Sequence, residues 1–188
     1  NSDVRLTPNW DLPLLEFLQT HPDTAAVGPK ILAEREPPYF EHAGAAGGYL
    51  DTFYFPFCRG RLFETLEEDK GQYNNVQEIF WATGACMFVR ANVFHGLGGL
   101  EPAFFAHMEE IDLCWRMKNM GYGLLYTPHS LVYHVGGGSL PQGNPRKTFL
   151  NFRNNLWMLY KNLPEQGFAR TMILRVILDI VAAYRSLL

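Results

Sequence analysis

Two residue patterns alternate along this chain, and their alternation constrains the fold more than any other feature. Short apolar runs bounded by glycine or proline, such as AAVGPKIL (residues 25–32), are typical of buried strands. Segments 10–20 and 147–188 instead repeat their apolar residues at the spacing of a helix face. Strands that alternate with helices predict the α/β class, and 188 residues suffice for one sizeable core or for a domain with an appendage.

The segments between these patterns are less regular. Glycines, prolines and aromatic residues from 39 to 75 predict an irregular excursion that contains a hairpin. Residues 76–90 predict one or two strands that break at Gly84. Residues 123–135 predict an extended segment that bends at Pro128.

The composition is that of an ordinary folded protein and argues against several functional classes. Hydrophobic residues make up 47% and charged residues 19% of the chain, and the formal net charge of −3 gives no reason to expect a nucleic-acid partner. The three cysteines, without a CxxC spacing, argue against a disulfide framework or a zinc site. They predict a reducing, cytoplasmic compartment. No uncharged run reaches the ~18 residues of a membrane-spanning helix.

The stretch FFAHMEEIDLCWRM (residues 104–117) holds three carboxylates within four residues at the start of a predicted helix. At about 100° per residue, Glu110 lies at the centre of the apolar arc of this helix. Glu109, Asp112 and Arg116 lie on the other face, which we expect to be solvated. Asp112 and Arg116 have the i,i+4 spacing of an ion pair on that face.

The position of Glu110 requires its own explanation. The helix macrodipole favours acids in the first turn, which accounts for Glu109 and Asp112. It does not account for an unpaired carboxylate on the apolar side, where burial is costly. Glu110 is therefore either satisfied by a local donor or kept for chemistry, as a base tuned by partial desolvation.

A longer set of motifs surrounds the acidic helix. Residues 83–139 contain, in order, a Gly-Ala pair, an arginine before a short helix, the acid-rich EEIDLCWR, a Gly-Tyr pair, a proline, and a histidine before a Gly-rich loop. This set resembles the second half of the inverting family 2 glycosyltransferases, which have the GT-A fold, and the opening NSDV resembles the end of their Asp-x-Asp segment. The resemblance implies a partial GT-A domain, Rossmann-like with a mixed sheet, in residues 1–145 and C-terminal helices in 146–188.

The activity that the resemblance implies is sugar transfer with inversion. The donor would be a nucleotide-diphosphate sugar and the acceptor a hydroxyl of a carbohydrate or of a lipid-linked glycan. Mg²⁺ or Mn²⁺ would offset the diphosphate charge, because both ions favour carboxylate and phosphate oxygens. Asp3 matches the metal-binding acid, although Asn1 replaces the first acid of the pair, and His134 matches a histidine beside the metal. The chain would be a fragment without the nucleotide-binding half, and we expect it to bind nucleotide sugars weakly or not at all.

The resemblance also assigns the acids of the helix. Glu110 matches the catalytic base, which is usually an aspartate, and Glu109 matches its partner acid. Helix geometry and the resemblance thus select Glu110 independently. On the acceptor side the resemblance adds Asp112, Trp115 and Gly84.

The donor side of the implied site lies further along the chain. The loop GGGSLPQGNPRK (residues 136–147) resembles a mobile loop that closes over the donor diphosphate, where Arg146 and Lys147 would meet phosphate oxygens. Arg153 and Asn154 match an Arg-Asn pair of the next helix that either faces the donor or holds this helix to the site.

The C-terminal helix, residues 168–188, has a wide apolar face that must be covered. We expect the domain body to cover it. A membrane surface or a partner subunit is the next candidate, with Arg170, Arg175 and Arg185 available for anionic headgroups at the inner face of the cell membrane.

Three other functions stay open at this point. A non-catalytic carbohydrate-binding or scaffold module of the same fold is the main alternative, because Asn1 and Glu110 depart from the family pattern. A nucleotidyltransferase-like enzyme would also use a metal and a nucleotide. A metal-dependent hydrolase is a weaker alternative, because one histidine alone has plausible ligand spacing.

Overall fold

The computed structural model describes residues 2–42, 44–63, 65–135 and 144–186, except for the side chains of residues 185 and 186. The elements follow in chain order as β1 (Val4–Leu6), α1 (Leu12–Thr20), β2 (Thr24–Ala33), β3 (Gly48–Leu50), β4 (Pro56–Cys58), β5 (Arg61–Leu62), β6 (Thr65–Leu66), β7 (Gln77–Glu78), β8 (Phe88–Val89), α2 (Ala91–Gly96), α3 (Glu109–Asn119), β9 (Gly123–His134), α4 (Pro145–Asn162) and α5 (Phe168–Ser186).

A mixed sheet forms the centre of the fold. Its strand order is β1–β9–β2–β8, and β7 also pairs with β9. Strand β9 runs parallel to β2 and antiparallel to β1 and β7. The register between β2 and β9 shifts after Thr127, whose successor Pro128 has no N–H to donate. The α/β prediction is confirmed, and the sheet with its C-terminal helices corresponds to a partial Rossmann-like GT-A domain.

The two faces of the sheet are covered by different helices. Leu14 and Leu18 of α1 are buried against Val27 of β2. Leu113 and Met117 of α3 belong to the larger core on the opposite face. Because strand residues alternate between the faces, this double cover explains why β2 is buried along nearly its whole length.

The irregular excursion contains the predicted hairpin, formed by β3 and β4. It approaches the sheet closely at Gly48, where an added Cβ would lie 2.0 Å from Cε2 of Trp81. Trp81 in turn donates from its indole nitrogen to the carbonyl of Tyr49 at 2.9 Å. A glycine is therefore required at position 48, and the hairpin packs directly on the residues that lead to Gly84.

Helix α5 differs from the prediction because it is packed with its polar side inward. Arg175 and Asp179 are 1% and 7% exposed, whereas Ile177 and Val181 are 53% and 63% exposed. The expectation that the domain body covers the apolar face is therefore wrong for the described residues. Among these residues, no helix combines the length and apolar character that crossing a membrane requires.

Candidate active site

Glu110 lies on the inner side of the first turn of α3, as the helix geometry predicts. Its Oε2 is buried and has no hydrogen-bond partner among the described residues. Burial raises the pKa of Glu110 to about 7, and the charge of Glu109 adds to the increase, while backbone N–H groups including that of Gly84 oppose it. A carboxyl with a pKa near neutrality can both accept and release a proton at physiological pH.

Gly84 leaves the space in front of this carboxyl open. A Cβ at position 84 would lie 3.6 Å from Cβ and 3.8 Å from Cδ of Glu110. Larger side chains would extend from that point across the acid. Gly84 and Glu110 are thus neighbours in the structure, and the absence of a side chain at position 84 leaves this side of the acid uncovered.

Further buried polar atoms lie next to Glu110: one belongs to the predicted partner acid Glu109, and the other to His107, which sequence reasoning missed. His107 Nε2 and Glu109 Oε2 are both buried without a hydrogen-bond partner among the described residues. Burial lowers the pKa of His107 below its usual value, and the nearby Lys147 lowers it further. Unsatisfied buried polar atoms are rare in folded proteins, and their concentration around Glu110 is typical of a site completed by a ligand.

The backbone of this turn is strained. Phe105, His107 and Met108 have φ values of 66°, 70° and 73°, which non-glycine residues rarely adopt. Asn154 of α4 holds the turn, because its Nδ2 donates to the carbonyls of Phe104, Ala106 and His107 at 2.9, 2.7 and 2.7 Å. The surrounding structure thus fixes a conformation that this sequence would not adopt by itself.

Arg153 supports the same turn from the neighbouring position of α4. Its guanidinium donates to the carbonyls of Ala103 and Phe104 at 3.1 and 3.0 Å and to the side-chain oxygen of Asn154 at 2.8 Å. The sequence left two roles open for Arg153 and Asn154, facing the donor or holding α4 to the site. Their contacts agree with the second role.

Arg146 and Lys147 approach the turn from the start of α4. The Arg146 guanidinium lies 4.8 Å from the centroid of the Phe105 ring, and Lys147 is close enough to His107 to affect its pKa. Residues 136–143 of the predicted donor loop lie outside the described residues. Its last two cations are nevertheless near the turn that precedes α3.

Asp112 points away from Glu110 and is fully buried. Its Oδ2 lies 2.8 Å from Arg116 Nε and 3.4 Å from Lys161 Nζ, and its Oδ1 accepts from Asn162 at 2.8 Å. The predicted pair with Arg116 is present, but the prediction that it lies on a solvated face is wrong. Helix α4 covers this face, which the periodicity of α3 alone could not reveal.

Replacing Asp112 by asparagine is expected to lower the free energy of unfolding by about 2–3 kcal/mol, because it leaves the partly buried Arg116 without its counter-charge and leaves Lys161 with Glu101 alone. Urea denaturation would measure the change. The control is Glu101→Gln, which removes the other, more exposed acid that Lys161 contacts and should cause much less destabilisation. Equal effects of the two substitutions would contradict a structural role for the buried acid.

Trp115 of α3 is buried in the core. It is stacked on Tyr54 with ring centroids 5.5 Å apart and meets the edge of Phe80 at 5.4 Å. Tyr54 belongs to the loop between β3 and β4, so Trp115 joins the hairpin to the acidic helix. The structure does not bring Trp115 or Asp112 to the open side of Glu110, where Gly84 lies.

Asp3 and His134 lie together where β1 and β9 pair. Asp3 Oδ1 is 3.3 Å from His134 Nε2, and Glu41 Oε1 is 3.3 Å from His134 Nδ1. The Glu41 carboxylate raises the pKa of His134 above its usual value, and Asp3 adds to this effect while burial opposes it. Sequence reasoning missed Glu41 because its segment is irregular and gives no periodic signal.

The pair of Asp3 and His134 fits two ligand positions of a divalent metal. Neighbouring ligands at about 2.1 Å from one ion are about 3 Å apart, close to the observed separation, and Asp3 Oδ1 is buried without a hydrogen bond to a described residue. Glu41 is placed to orient the imidazole, as carboxylates do for metal-binding histidines. Within the described ranges no group of three His, Cys, Asp or Glu side chains could hold a metal alone, so water or phosphate oxygens would complete the ligand set.

Comparison with known proteins bears on the activity. No family model matches the chain. Among curated proteins, however, the chain is similar to glycosyltransferases. It is 26% identical over 140 residues to the N-acetylglucosaminyl-diphospho-decaprenol L-rhamnosyltransferase of Mycobacterium tuberculosis, which covers 71% of this chain and 45% of that protein.

Two further relatives have related names. The chain is 35% identical over 57 residues to the rhamnosyltransferase WbbL of Escherichia coli, covering 29% of this chain and 22% of that protein. It is 27% identical over 136 residues to the O-antigen biosynthesis protein RfbC of Myxococcus xanthus, covering 71% of this chain and 10% of that protein. The chain thus spans less than half the length of these relatives.

Proposed function

We propose that this chain is the base-bearing, acceptor-side part of an inverting family 2 glycosyltransferase. The reaction is transfer of a sugar, with a rhamnosyl group as the first candidate, from a nucleotide-diphosphate donor to a hydroxyl of a glycan or lipid-linked acceptor. The observation that carries the proposal is the Glu110 carboxyl, which has a pKa of about 7 and a buried oxygen without a partner beside Gly84. The similarity to two rhamnosyltransferases supports the choice of sugar.

In the proposed mechanism Glu110 acts as general base. Its carboxylate accepts the proton of the acceptor hydroxyl while the hydroxyl oxygen forms a bond to the anomeric carbon. The bond from that carbon to the diphosphate breaks on the opposite face, and the diphosphate leaves with the electron pair. A base with a pKa near the working pH combines a large deprotonated fraction with adequate proton affinity.

The other residues of the proposed site adjust the pKa of Glu110, bind the donor or hold the metal ion. Burial raises the pKa of Glu110, and the Glu109 carboxylate raises it further. Arg146 and Lys147, at the start of α4, would bind phosphate oxygens of the donor. Asp3 and His134 would hold Mg²⁺ or Mn²⁺, which supplies positive charge to the leaving diphosphate. Glu41 would orient His134 for that purpose.

The test is an assay of the full-length protein with a panel of nucleotide-diphosphate sugars, Mg²⁺ or Mn²⁺, and an N-acetylglucosaminyl-diphospho-polyprenol acceptor. We expect a glycosylated acceptor detectable by mass spectrometry, with an anomeric configuration opposite to that of the donor by NMR. Addition of a chelator should abolish the product, because the diphosphate charge is then uncompensated.

Saturable glycan binding without product from any donor would instead favour the non-catalytic carbohydrate-binding module. Product with retained configuration would contradict the inverting mechanism while leaving sugar transfer in place. Turnover that persists in excess chelator would contradict the metal role of Asp3 and His134.

A further inference from the structure

A cavity that contains none of the acids of α3 lies against the start of α5. It has a volume of about 280 Å³ and is formed by the loop between β3 and β4 and the first two turns of α5. Arg170, Thr171, Leu174 and Arg175 line it from the helix, and Thr52 lines it from the loop. The proposed sugar transfer uses none of these residues.

Arg175 is the most constrained group of this cavity. It is 1% exposed, its guanidinium lies 3.6 Å from the centroid of the Phe55 ring, and it donates to the carbonyl of Phe53 at 2.8 Å. Asp179 supplies a counter-charge at 3.3 Å. Nε of Arg175 remains buried without a hydrogen-bond partner among the described residues. A buried donor without an acceptor is costly, so an acceptor from outside the chain would complete it.

Arg170 adds a second positive charge at the mouth of the cavity. It is exposed and forms no ion pair with a described residue. Asp179 pairs with Arg175, and Asp51, which accepts the backbone N–H groups of Phe53 and Phe55, is also close enough to act on the charge of Arg175. The exposed Arg170 therefore supplies the positive charge that no described acid pairs with. Two guanidinium groups together with the hydroxyls of Thr52 and Thr171 are donors that suit the oxygens of a phosphate.

An exposed apolar stripe starts at the same cavity. It consists of Leu174, Ile177, Val181 and Tyr184, which follow Arg170 at steps of three or four residues and therefore share one face of α5. These side chains are 38%, 53%, 63% and 66% exposed. A cavity that carries an unpaired arginine at one end of an apolar stripe is complementary to an amphiphile that carries a phosphate.

Aromatic residues of α4 extend this surface. Trp157 and Tyr160 are 46% and 62% exposed, and the Tyr160 ring contacts that of Phe168 at the start of α5, with centroids 5.9 Å apart. Tryptophan and tyrosine are enriched where proteins meet the headgroup region of a membrane. A second copy of the chain could cover the apolar stripe, but it would leave Arg170 and Nε of Arg175 without an anion.

We propose that the cavity binds the phosphate of an anionic membrane lipid while the apolar stripe contacts the acyl chains. Helix α5 then lies in the plane of the membrane surface, with its buried ion pair towards the domain and its apolar residues towards the lipid. This arrangement explains why α5 is packed with its polar side inward.

The test is sedimentation of the protein with vesicles of phosphatidylcholine, with and without phosphatidic acid. We expect tighter binding to the vesicles that contain phosphatidic acid, weakened by added salt. Arg170→Ser should weaken binding to these vesicles about fivefold, the effect of one arginine at an anionic surface. The matched control is Arg35→Ser, which removes another exposed arginine outside α5 and should leave the binding unchanged.

Thr171→Val, which removes a cavity hydroxyl at nearly constant volume, should also weaken binding, and a thermal melt would verify that each variant folds. Equal binding to the two kinds of vesicle, or equal losses in Arg170→Ser and Arg35→Ser, would overturn the proposal. So would a dimer, measured by sedimentation equilibrium, that dissociates in Ile177→Gln and does not bind vesicles. Competition by millimolar inorganic phosphate that fully releases the protein from lipid would assign the cavity to free phosphate instead. None of these results depends on sugar transfer.

Discussion

Replacing Glu110 by glutamine is expected to lower the kcat of sugar transfer by about 10²–10⁴-fold, the usual contribution of a general base. Glutamine has nearly the same shape but cannot accept the proton of the acceptor hydroxyl. Initial rates of the full-length protein would measure the loss, and circular dichroism would show whether the fold is retained. A variant that keeps more than about a third of the wild-type rate would exclude Glu110 as the base.

The pH dependence provides an independent measure of the same group. Because the pKa of Glu110 is about 7, the rate should rise with pH through this value as the carboxylate forms. Glu109→Gln is the control: it removes the charge that helps to raise this pKa, so the rising limb should move to lower pH while much of the activity remains. An unchanged pH profile would argue that Glu109 does not act on the base.

The raised pKa of Glu110 also makes the stability depend on pH, and this stability should fall as the pH rises, whereas the rate should increase. Glu110 has a higher pKa in the folded than in the unfolded protein, so its contribution to stability is complete at acidic pH and is lost as the pH rises through about 7. The loss corresponds to about 3 kcal/mol of unfolding free energy. Glu110→Gln should therefore be less sensitive to pH between 5 and 8.5 in urea denaturation than the wild type.

Replacing Asn154 by alanine is expected to lower the free energy of unfolding by about 3–5 kcal/mol and to reduce activity with it. Asn154 is fully buried and donates to the carbonyls of Phe104, Ala106 and His107. The carbonyls of Ala106 and His107 would lose this donor, while that of Phe104 would keep Arg153. The strained turn would then relax and displace the start of α3. Urea denaturation and initial rates would measure the two effects.

Asn155→Ala is a matched control, because it changes the same residue type at the next, also buried position. Asn155 makes one weak contact, with its Nδ2 4.0 Å from the sulfur of Met108, and its Oδ1 has no partner among the described residues. We expect a loss of about 1 kcal/mol or less. Losses of equal size in the two variants would show that burial, and not the hold on the turn, determines the effect.

The periodicity of α3 was sufficient to predict that Glu110 lies on the side of the helix that faces the core. Burial of Glu110 follows from its position on the apolar arc, and Gly84 agrees with that arrangement. The periodicity wrongly predicted a solvated position for Asp112. A polar face can be covered by another helix that supplies polar partners, and the sequence of α3 alone does not show whether this happens. Lys161 and Asn162 supply them from a distance of about fifty residues in the chain.

The conformation before α3 was beyond sequence reasoning for a different reason. Positive φ values are predicted where glycine or asparagine occurs, but Phe105, His107 and Met108 are neither. Tertiary hydrogen bonds from α4 impose their conformation. The inward polar side of α5 has a similar origin, because the partner of Arg175 is a backbone carbonyl of a distant loop.

The contacts of Asn154 and Arg153 also affect how proteins of this kind can be recombined. The C-terminal helices begin at a boundary near residue 145, which looks like a natural point for exchanging parts between relatives. However, α4 determines the geometry of residues 103–108 through five hydrogen bonds. A chimera that exchanges the helices without this turn would combine the turn and acidic helix of one parent with the α4 side chains of another. Residues 103–108 and α4 should therefore be taken from the same parent.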